Sequence, residues 1–304
     1  MLFRSGASGS GVGPGSVSPA AMGPGRDGWE FVPGESRGDT LVYQMKQPAG
    51  GWAIPGKSPP KLAFKAVSAN GETSYLATTE LSVQAVIEHL RALGLEGSLI
   101  TLFGNTQREG PFAWGLQGGR LLVGFEGETG ANTRAGWVKL GGGLKVEEYF
   151  GQAAPSPPDG DMPFQYVSFP TAVFLARTLN CRLPTAAEWS AALAADGGVG
   201  DLSKRNLRDQ SYRRQFELVK AASGKTVGFT DPDKDVYGLS RTGKEKFQAS
   251  DDGVVFFAPV DQDAGGRAYK HLVGNVAEVT CDKPREMEAL DPRSMPAAEA
   301  FVKA

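Results

Sequence analysis

The chain has 304 residues, of which 40% are hydrophobic, so it can bury a sizeable core in one large domain or two modest ones. A formal net charge of −2 gives no electrostatic argument for binding nucleic acid, and no apolar run approaches the roughly 20 residues of a membrane span. The 41 glycines and 20 prolines imply many loops, and two cysteines exclude a disulfide scaffold while leaving the redox compartment open.

Residues 1–27 consist almost wholly of Gly, Ser, Pro and Ala. This composition cannot bury enough apolar surface to offset the entropy lost on ordering, so it predicts a flexible tail or linker. The segment has no apolar h-region and is not expected to be a signal peptide, so the localisation of the protein stays unknown. Ordered structure is expected to begin near Trp29.

Short strands are predicted next along the chain. Residues 29–32, 40–45 and 62–67 are apolar or alternating segments bounded by glycine-rich turns. The Asn-Gly pair at 70–71 is typical of a hairpin turn and leads into a further strand at 74–76. The first third of the domain is therefore expected to contain an antiparallel sheet.

An amphipathic helix is predicted after this sheet. Ser82 has the side chain of a helix N-cap, and Gly94 provides the stop. The apolar face consists of Val83, Val86, Ile87 and Leu90. His89 falls on the polar edge of this helix and is expected to lie in solvent.

Apolar segments alternate with glycine turns in the middle of the chain. They predict strands at residues 121–125 and 137–140. Residues 153–161 form a proline-rich segment that predicts a surface loop. Residues 163–173 then predict a strand leading into a helix that ends near Asn180.

A capping box marks the start of the next helix. Thr185 and Glu188 have the T-x-x-E spacing at which a hydroxyl and a carboxylate reciprocally satisfy free amides at a helix start. Pro184 precedes the cap, and residues 196–198 are an Asp-Gly-Gly stop. Trp189 lies in the first turns of this helix and is expected to be largely buried.

Two sequence blocks carry a family resemblance. R-L-P-T-x-x-E-W at 182–189, followed by G-N-V-x-E at 274–278, resembles the formylglycine-generating enzyme family, also called sulfatase-modifying factors. Looser similarities stand at residues 75–82, 163–173 and 258–260. The resemblance implies a loop-rich α+β domain over residues 28–304, with a C-type-lectin-like fold, a small irregular antiparallel sheet and flanking helices. By the same resemblance, the carboxyl end is expected to be incomplete relative to that family.

The resemblance also implies a calcium site. The family holds one calcium ion with two side chains and two backbone carbonyls, and the matching residues here are Asn206, Leu207, Asp252 and Val254. Oxygen ligands drawn from side chains and backbone suit calcium, which takes six to eight oxygens in a flexible geometry. Judged without the resemblance, Asn206 and Asp252 are ordinary turn residues.

A second family calcium site is matched only weakly. Gly274, Val276 and Glu278 remain, but His271 stands where the family has Asn or Asp. A neutral imidazole is a poor calcium ligand because hard cations prefer oxygen. Glu278 is therefore a weak metal candidate, and its other expected role is that of an internal hydrogen-bond acceptor.

No catalytic residue is predicted. The family's enzymes oxidise a peptide cysteine with oxygen, using two cysteines that bind copper(I), in a segment that these 304 residues do not contain. Cys181 and Cys281 occupy positions that the family gives to other residues, and Val279 replaces a family Trp. Each cysteine is expected to be a small buried side chain. Copper is implied only if a further carboxyl segment supplies the cysteine pair.

Two functional interpretations follow. The first is a non-catalytic binding or scaffolding module with a protein or peptide partner, within a larger multidomain protein. The alternative is an incomplete part of a copper-dependent oxidase that converts a peptide cysteine to formylglycine. Whether the chain is an enzyme stays open, and no nucleic-acid partner is expected. A sugar-binding role would rest on fold analogy alone.

Overall fold

The computed structural model describes residues 4–5, 28–52, 58–94, 112–117, 120–125, 160–161, 163–164, 169–200, 210–223, 253–254, 258–262, 266–275 and 279–282. Within these ranges the chain forms a six-stranded antiparallel sheet, a separate two-stranded ribbon and four helices. Such a small sheet with a few helices and many loops confirms the predicted α+β class.

The strands of the large sheet are β1 (Arg4–Ser5), β2 (Trp29–Phe31), β3 (Thr40–Met45), β4 (Lys61–Ala69), β5 (Glu72–Ala77) and β8 (Cys181–Arg182). Their order across the sheet is β2-β3-β4-β5-β1-β8. The ribbon pairs β6 (Phe112–Gln117) with β7 (Arg120–Phe125). The helices are α1 (Val83–Ala92), α2 (Phe169–Thr178), α3 (Ala186–Ala195) and α4 (Gln210–Ser223).

The predicted hairpin joins β4 to β5. Asn70 and Gly71 have φ angles of 52° and 80°, so both central residues of the turn are left-handed. A turn of that hand matches the twist of the strands it connects. The strand predicted at 121–125 is likewise confirmed as β7, whereas residues 137–140 lie outside the described part of the chain.

One hydrophobic core is shared by the sheet, α1 and α2. Tyr43 of β3 and Phe64 of β4 meet edge to face in it, with ring centroids 5.9 Å apart. Ser82 caps α1 by accepting a hydrogen bond from the Ala85 amide at 3.2 Å. The predicted apolar face is buried in full: Val83, Val86, Ile87 and Leu90. Both the cap and the face of this helix are confirmed.

The prediction for His89 was wrong. Its side chain is 1% exposed, and its Nδ1 accepts a hydrogen bond from Trp29 Nε1 at 3.1 Å. All residues of α1 from 83 to 90 are buried, so its polar edge is covered as well as its apolar face. On the same edge, Glu88 forms an ion pair with Arg91 at 3.1 Å. The amphipathic pattern identifies the more apolar side of a helix but not how many sides are covered.

A second difference concerns the amino-terminal segment. Arg4 and Ser5, within the predicted tail, form β1 between β5 and β8. The remainder of 1–27 lies outside the described residues, so the tail stays a prediction there.

None of the helices in the described ranges is long and apolar enough to cross a membrane.

Candidate functional site

The R-L-P-T-x-x-E-W block forms a closed hydrogen-bond network at the start of α3. The Thr185 amide donates to Glu188 Oε2 at 2.9 Å, and the Glu188 amide donates to Thr185 Oγ1 at 3.2 Å, which confirms the capping box. Arg182 Nη2 donates to the other carboxylate oxygen of Glu188 at 2.8 Å. Arg182 Nη1 also donates to the Leu183 carbonyl at 2.8 Å. Both oxygens of the nearly buried Glu188 carboxylate are thus hydrogen-bonded within the block. These bonds fix the first turn of α3 relative to Arg182.

Trp189 is partly buried and packs against the core. The predicted burial is thus confirmed in part. The indole Nε1 is enclosed and makes no hydrogen bond to the described residues. Helix α3 lies against β4 and β5 and ends at the cap residue Asp196, as the Asp-Gly-Gly signal predicts.

The second family block is organised by Asn275. Its Nδ2 donates to Glu80 Oε2 at 2.5 Å and to the Ala258 carbonyl at 3.1 Å. Its Oδ1 accepts from the Ala258 amide at 2.7 Å. The side-chain amide thus bonds both backbone groups of Ala258 as a neighbouring strand would. Three distant segments, at residues 80, 258 and 275, meet at this one side chain.

Backbone conformation directs this side chain. Asn275 has a φ of 61° and follows Gly274 with a φ of 92°. Asn is one of the few residues other than Gly that tolerates the left-handed region. The sequence analysis missed the role of Glu80, which is 1% exposed. Glu80 stands between Thr79 and Leu81, two positions before the Ser82 cap, and this local pattern gives no signal of its burial.

The loop before Asn275 is tied to the sheet. The Lys270 amide donates to the Thr78 carbonyl at 2.7 Å, just after β5. The His271 ring is buried, and its Nε2 lies 3.3 Å from the Pro259 carbonyl oxygen. Lys270 Nζ donates to the Asp261 carbonyl. These contacts hold residues 258–261 and 270–275 as one unit beside the sheet.

The segment just after the second family block meets the first block at the start of α3. The Cys281 amide donates to the Pro184 carbonyl at 2.8 Å, and the Ala186 amide donates to Asp282 Oδ1 at 3.0 Å. The Ala186 amide is one of the free donors at a helix start, where a carboxylate is also favoured by the helix dipole. Asp282 therefore supplies a second cap beside Thr185, a role that the sequence analysis missed because Asp282 and Ala186 are 96 positions apart.

Most of the predicted calcium ligands lie outside the described residues: Asn206, Leu207, Asp252 and Glu278. Val254 is described and buried, and its carbonyl accepts a hydrogen bond from Ser211 Oγ at 2.8 Å. Among the described residues no three His, Cys, Asp or Glu side chains cluster in a way that could hold a metal ion.

Cys181 does not present a thiolate to solvent. Cys181 is 5% exposed, its Sγ donates to the Leu179 carbonyl at 3.3 Å, and burial raises the pKa of its thiol well above the usual range. Copper(I) is bound by thiolates, and a buried thiol with a raised pKa stays protonated at neutral pH. Cys281 is half-buried, and neither cysteine is in a disulfide. The expectation of a small buried side chain is confirmed for Cys181.

These observations define an α+β domain in which polar contacts join the first sequence block to residues 281–282 and the second block to Ala258 and Glu80. Residues 105–298, more than half of the chain, match the family model of the sulfatase-modifying factor enzyme 1-like domain. The chain belongs to this family. No curated protein and no solved structure matches it.

The matched residues include both sequence blocks and the Ala258 segment. They begin after α1, so β1 to β5 and α1 precede the matched region. The Asn275 to Glu80 hydrogen bond nevertheless connects the matched region to the segment between β5 and α1. The predicted domain start near residue 28 stays a prediction.

Proposed function

We propose that this domain is a non-catalytic binding or scaffolding module of the sulfatase-modifying factor family, with a protein or peptide partner and a place in a larger multidomain protein. The proposal includes the C-type-lectin-like fold that the family implies. The observation that carries it is the state of Cys181, a hydrogen-bonded thiol in the core with a raised pKa.

The family blocks and the residues just after them support the same proposal. Glu188, Asn275 and the following Asp282 all bond to backbone or side-chain groups of this chain. Each of these contacts holds one segment against another. A polar group satisfied by a fixed internal partner contributes orientation and stability, so these three side chains have structural roles.

The direct test is a search for formylglycine-generating activity. The chain is incubated with copper, oxygen and a peptide containing C-x-P-x-R, and aldehyde is measured by mass spectrometry. We expect no aldehyde above the level of a Cys181→Ala, Cys281→Ala double variant. Stoichiometric aldehyde that disappears in the double variant would contradict the proposal and favour a copper-dependent oxidase.

We also propose a structural calcium ion bound by Asn206, Leu207, Asp252 and Val254. The hydrogen bond from Ser211 to Val254 supports it, because Ser211 follows Leu207 by four positions and Val254 follows Asp252 by two. A chain advances at most about 3.3–3.6 Å per residue, so this bond limits how far apart the two ligand segments can be. Val254 itself is buried, as an internal carbonyl ligand requires.

A further inference from the structure

Both histidines of the chain are buried, and their ring nitrogens have different roles. His89 Nδ1 accepts the hydrogen bond from Trp29 Nε1. An indole N–H can only donate, so this nitrogen of His89 carries no proton. His271 Nε2 faces the Pro259 carbonyl oxygen, which can only accept, so that nitrogen does carry a proton. A second proton on the ring therefore breaks the bond at His89 and leaves the one at His271 intact.

The Trp29–His89 hydrogen bond joins the edge of the sheet to α1. Trp29 is the first residue of β2 and is 1% exposed, and its ring centroid lies 6.3 Å from that of His89. The backbone is also close to the helix here, since a Cβ atom at Gly28 would lie 3.0 Å from the Ala92 Cβ atom. The bond therefore holds the start of β2 against the last turns of α1.

Strand β2 is the element that loss of this bond affects first. Among the described strands it pairs only with β3, over three residues, at the edge of the large sheet. One backbone bond flanks the pairing on each side: the Lys46 amide donates to the Gly28 carbonyl at 2.7 Å, and the Val32 amide donates to the Val42 carbonyl at 2.9 Å. Short edge elements with few partners open locally at a lower free energy than the centre of a sheet. Breaking the indole–imidazole bond thus releases β2 more readily than β4 or β5.

A proton on His89 would be poorly accommodated in the folded chain. The charged groups on the segments that meet at this ring are Glu88 and Arg91 of α1, Glu30 of β2 and Lys46 after β3. Glu88 and Arg91 form an ion pair at 3.1 Å, and Glu30 and Lys46 are exposed. Burial disfavours the charged form of an imidazole, and the proton would also place a second N–H 3.1 Å from the indole nitrogen. The folded chain therefore keeps His89 neutral at pH values at which an unfolded chain protonates it.

We propose that the Trp29–His89 pair is an acid-sensitive latch: protonation of His89 breaks the bond, releases Trp29 from the core and frees β2 from α1. An unperturbed histidine titrates near pH ~6.5, so the latch opens on passing from neutral to mildly acidic conditions. The open form binds one proton more than the closed form. Its population therefore rises about tenfold for each pH unit below about 6.5. The switch goes beyond the proposed binding function and does not depend on it.

Hydrogen exchange of the full chain between about pH 7 and about pH 5 tests the latch. The reporters are the Val32 and Lys46 amides, whose bonds flank β2, and the reference is the paired hairpin at residues 66–75. After correction for the intrinsic exchange rate, protection of the reporters should fall about tenfold per pH unit below about 6.5, while protection of the reference stays constant. Reporter protection that does not depend on pH, or an equal fall in reporters and reference, would overturn the proposal.

Two matched variants assign the response to one histidine. In His89→Asn the amide oxygen replaces Nδ1 as an acceptor that does not titrate, so the pH dependence of the reporters should disappear. In His271→Gln the amide nitrogen replaces Nε2 as the donor, and the tenfold fall should remain. Loss of the pH dependence in His271→Gln, or its persistence in His89→Asn, would contradict the latch.

Nuclear magnetic resonance of the unaltered chain, labelled with ¹⁵N in its two histidines, provides a test that does not depend on a variant folding. At about pH 7 the Nδ1 resonance of His89 should be that of an unprotonated ring nitrogen that accepts a hydrogen bond. Its protonation should coincide with the loss of protection at Val32 and Lys46. Protonation of His89 with both amides still protected would overturn the latch.

Discussion

The amide of Asn275 and the carboxylate of Glu80 form a 2.5 Å hydrogen bond across 195 positions of sequence. Glu80 is buried in the segment between β5 and α1. The Asn275 side chain also accepts a hydrogen bond from the Ala258 amide. The bond joins a segment before the family-matched region to one of the two family blocks. Asn275 therefore holds its own loop and Ala258 against the segment that follows β5.

Asn275→Asp should lower the free energy of unfolding by more than the loss of one hydrogen bond would. Asp tolerates the same left-handed backbone, so the main effect is a second carboxylate facing Glu80. An uncompensated buried charge typically costs about 3–5 kcal/mol, measured here by urea unfolding. In a Glu80→Gln background the same change should cost at most about 2 kcal/mol. Equal costs in both backgrounds would show that the two side chains are not coupled.

The capping box and Trp189 should make unequal contributions to stability. Thr185→Ala removes the acceptor for the Glu188 amide and should cost about 1 kcal/mol. Trp189→Ala should cost about 3 kcal/mol, the lower end for a core aromatic, because Trp189 is only partly buried. Ser190→Ala, at an exposed position of α3, is the matched control and should be near neutral. A larger loss of stability for Thr185→Ala than for Trp189→Ala would contradict the predicted contributions of the cap and the indole.

The features that the sequence predicted correctly depend on local residues. The Ser82 cap, the turn at 70–71 and the Thr185 capping box are each set by side chains within a few positions of one another. The burial of His89 depends on Trp29, which is 60 positions away. The Asn275 to Glu80 bond and the position of β1 likewise depend on tertiary packing. The candidate calcium site could be identified only by resemblance, since its ligands are dispersed among turns.

Stability should fall in alkali, beginning near pH 10. Burial raises the pKa of Tyr43 and of Tyr269 from 10.0 to about 12. Nearby acidic groups contribute less: Cys181 and Tyr75 act on Tyr43, and Asp39 and Asp196 act on Tyr269. Between these pH values the unfolded chain has lost tyrosine protons that the folded chain keeps, so unfolding becomes more favourable as pH rises.

The loss for each tyrosine is up to about 2 kcal/mol between pH 10 and pH 12. Urea unfolding across that interval measures it. Tyr269→Phe should flatten the pH dependence, because phenylalanine does not titrate. If the free energy of unfolding of the Tyr269→Phe variant fell with pH as steeply as that of the unaltered chain, the raised pKa of Tyr269 would be contradicted. A Cys181→Ala background removes the buried thiol, which acts in the same direction from about pH 9.

Calcium should raise the melting temperature if Asn206, Leu207, Asp252 and Val254 bind it. An ion that binds only the folded chain stabilises it by about 2.7 kcal/mol at a hundred times its dissociation constant. Asp252→Ala should abolish the rise, because it removes a charged oxygen ligand. The neighbouring Asp251→Ala is the matched control, since it removes the same charge one position away and should keep the rise.

Differential scanning calorimetry with calcium, magnesium and a chelator distinguishes the possible outcomes. A selective rise with calcium supports a site of six to eight oxygens, since magnesium demands a smaller octahedral set. A rise that persists in Asp252→Ala, or one that Asp251→Ala abolishes equally, would exclude the proposed ligand set. The hydrogen bond from Ser211 to Val254 should remain in either case, because it joins α4 to this segment without the ion. Loss of stability in Ser211→Ala without calcium would therefore measure that bond alone, at about 1 kcal/mol.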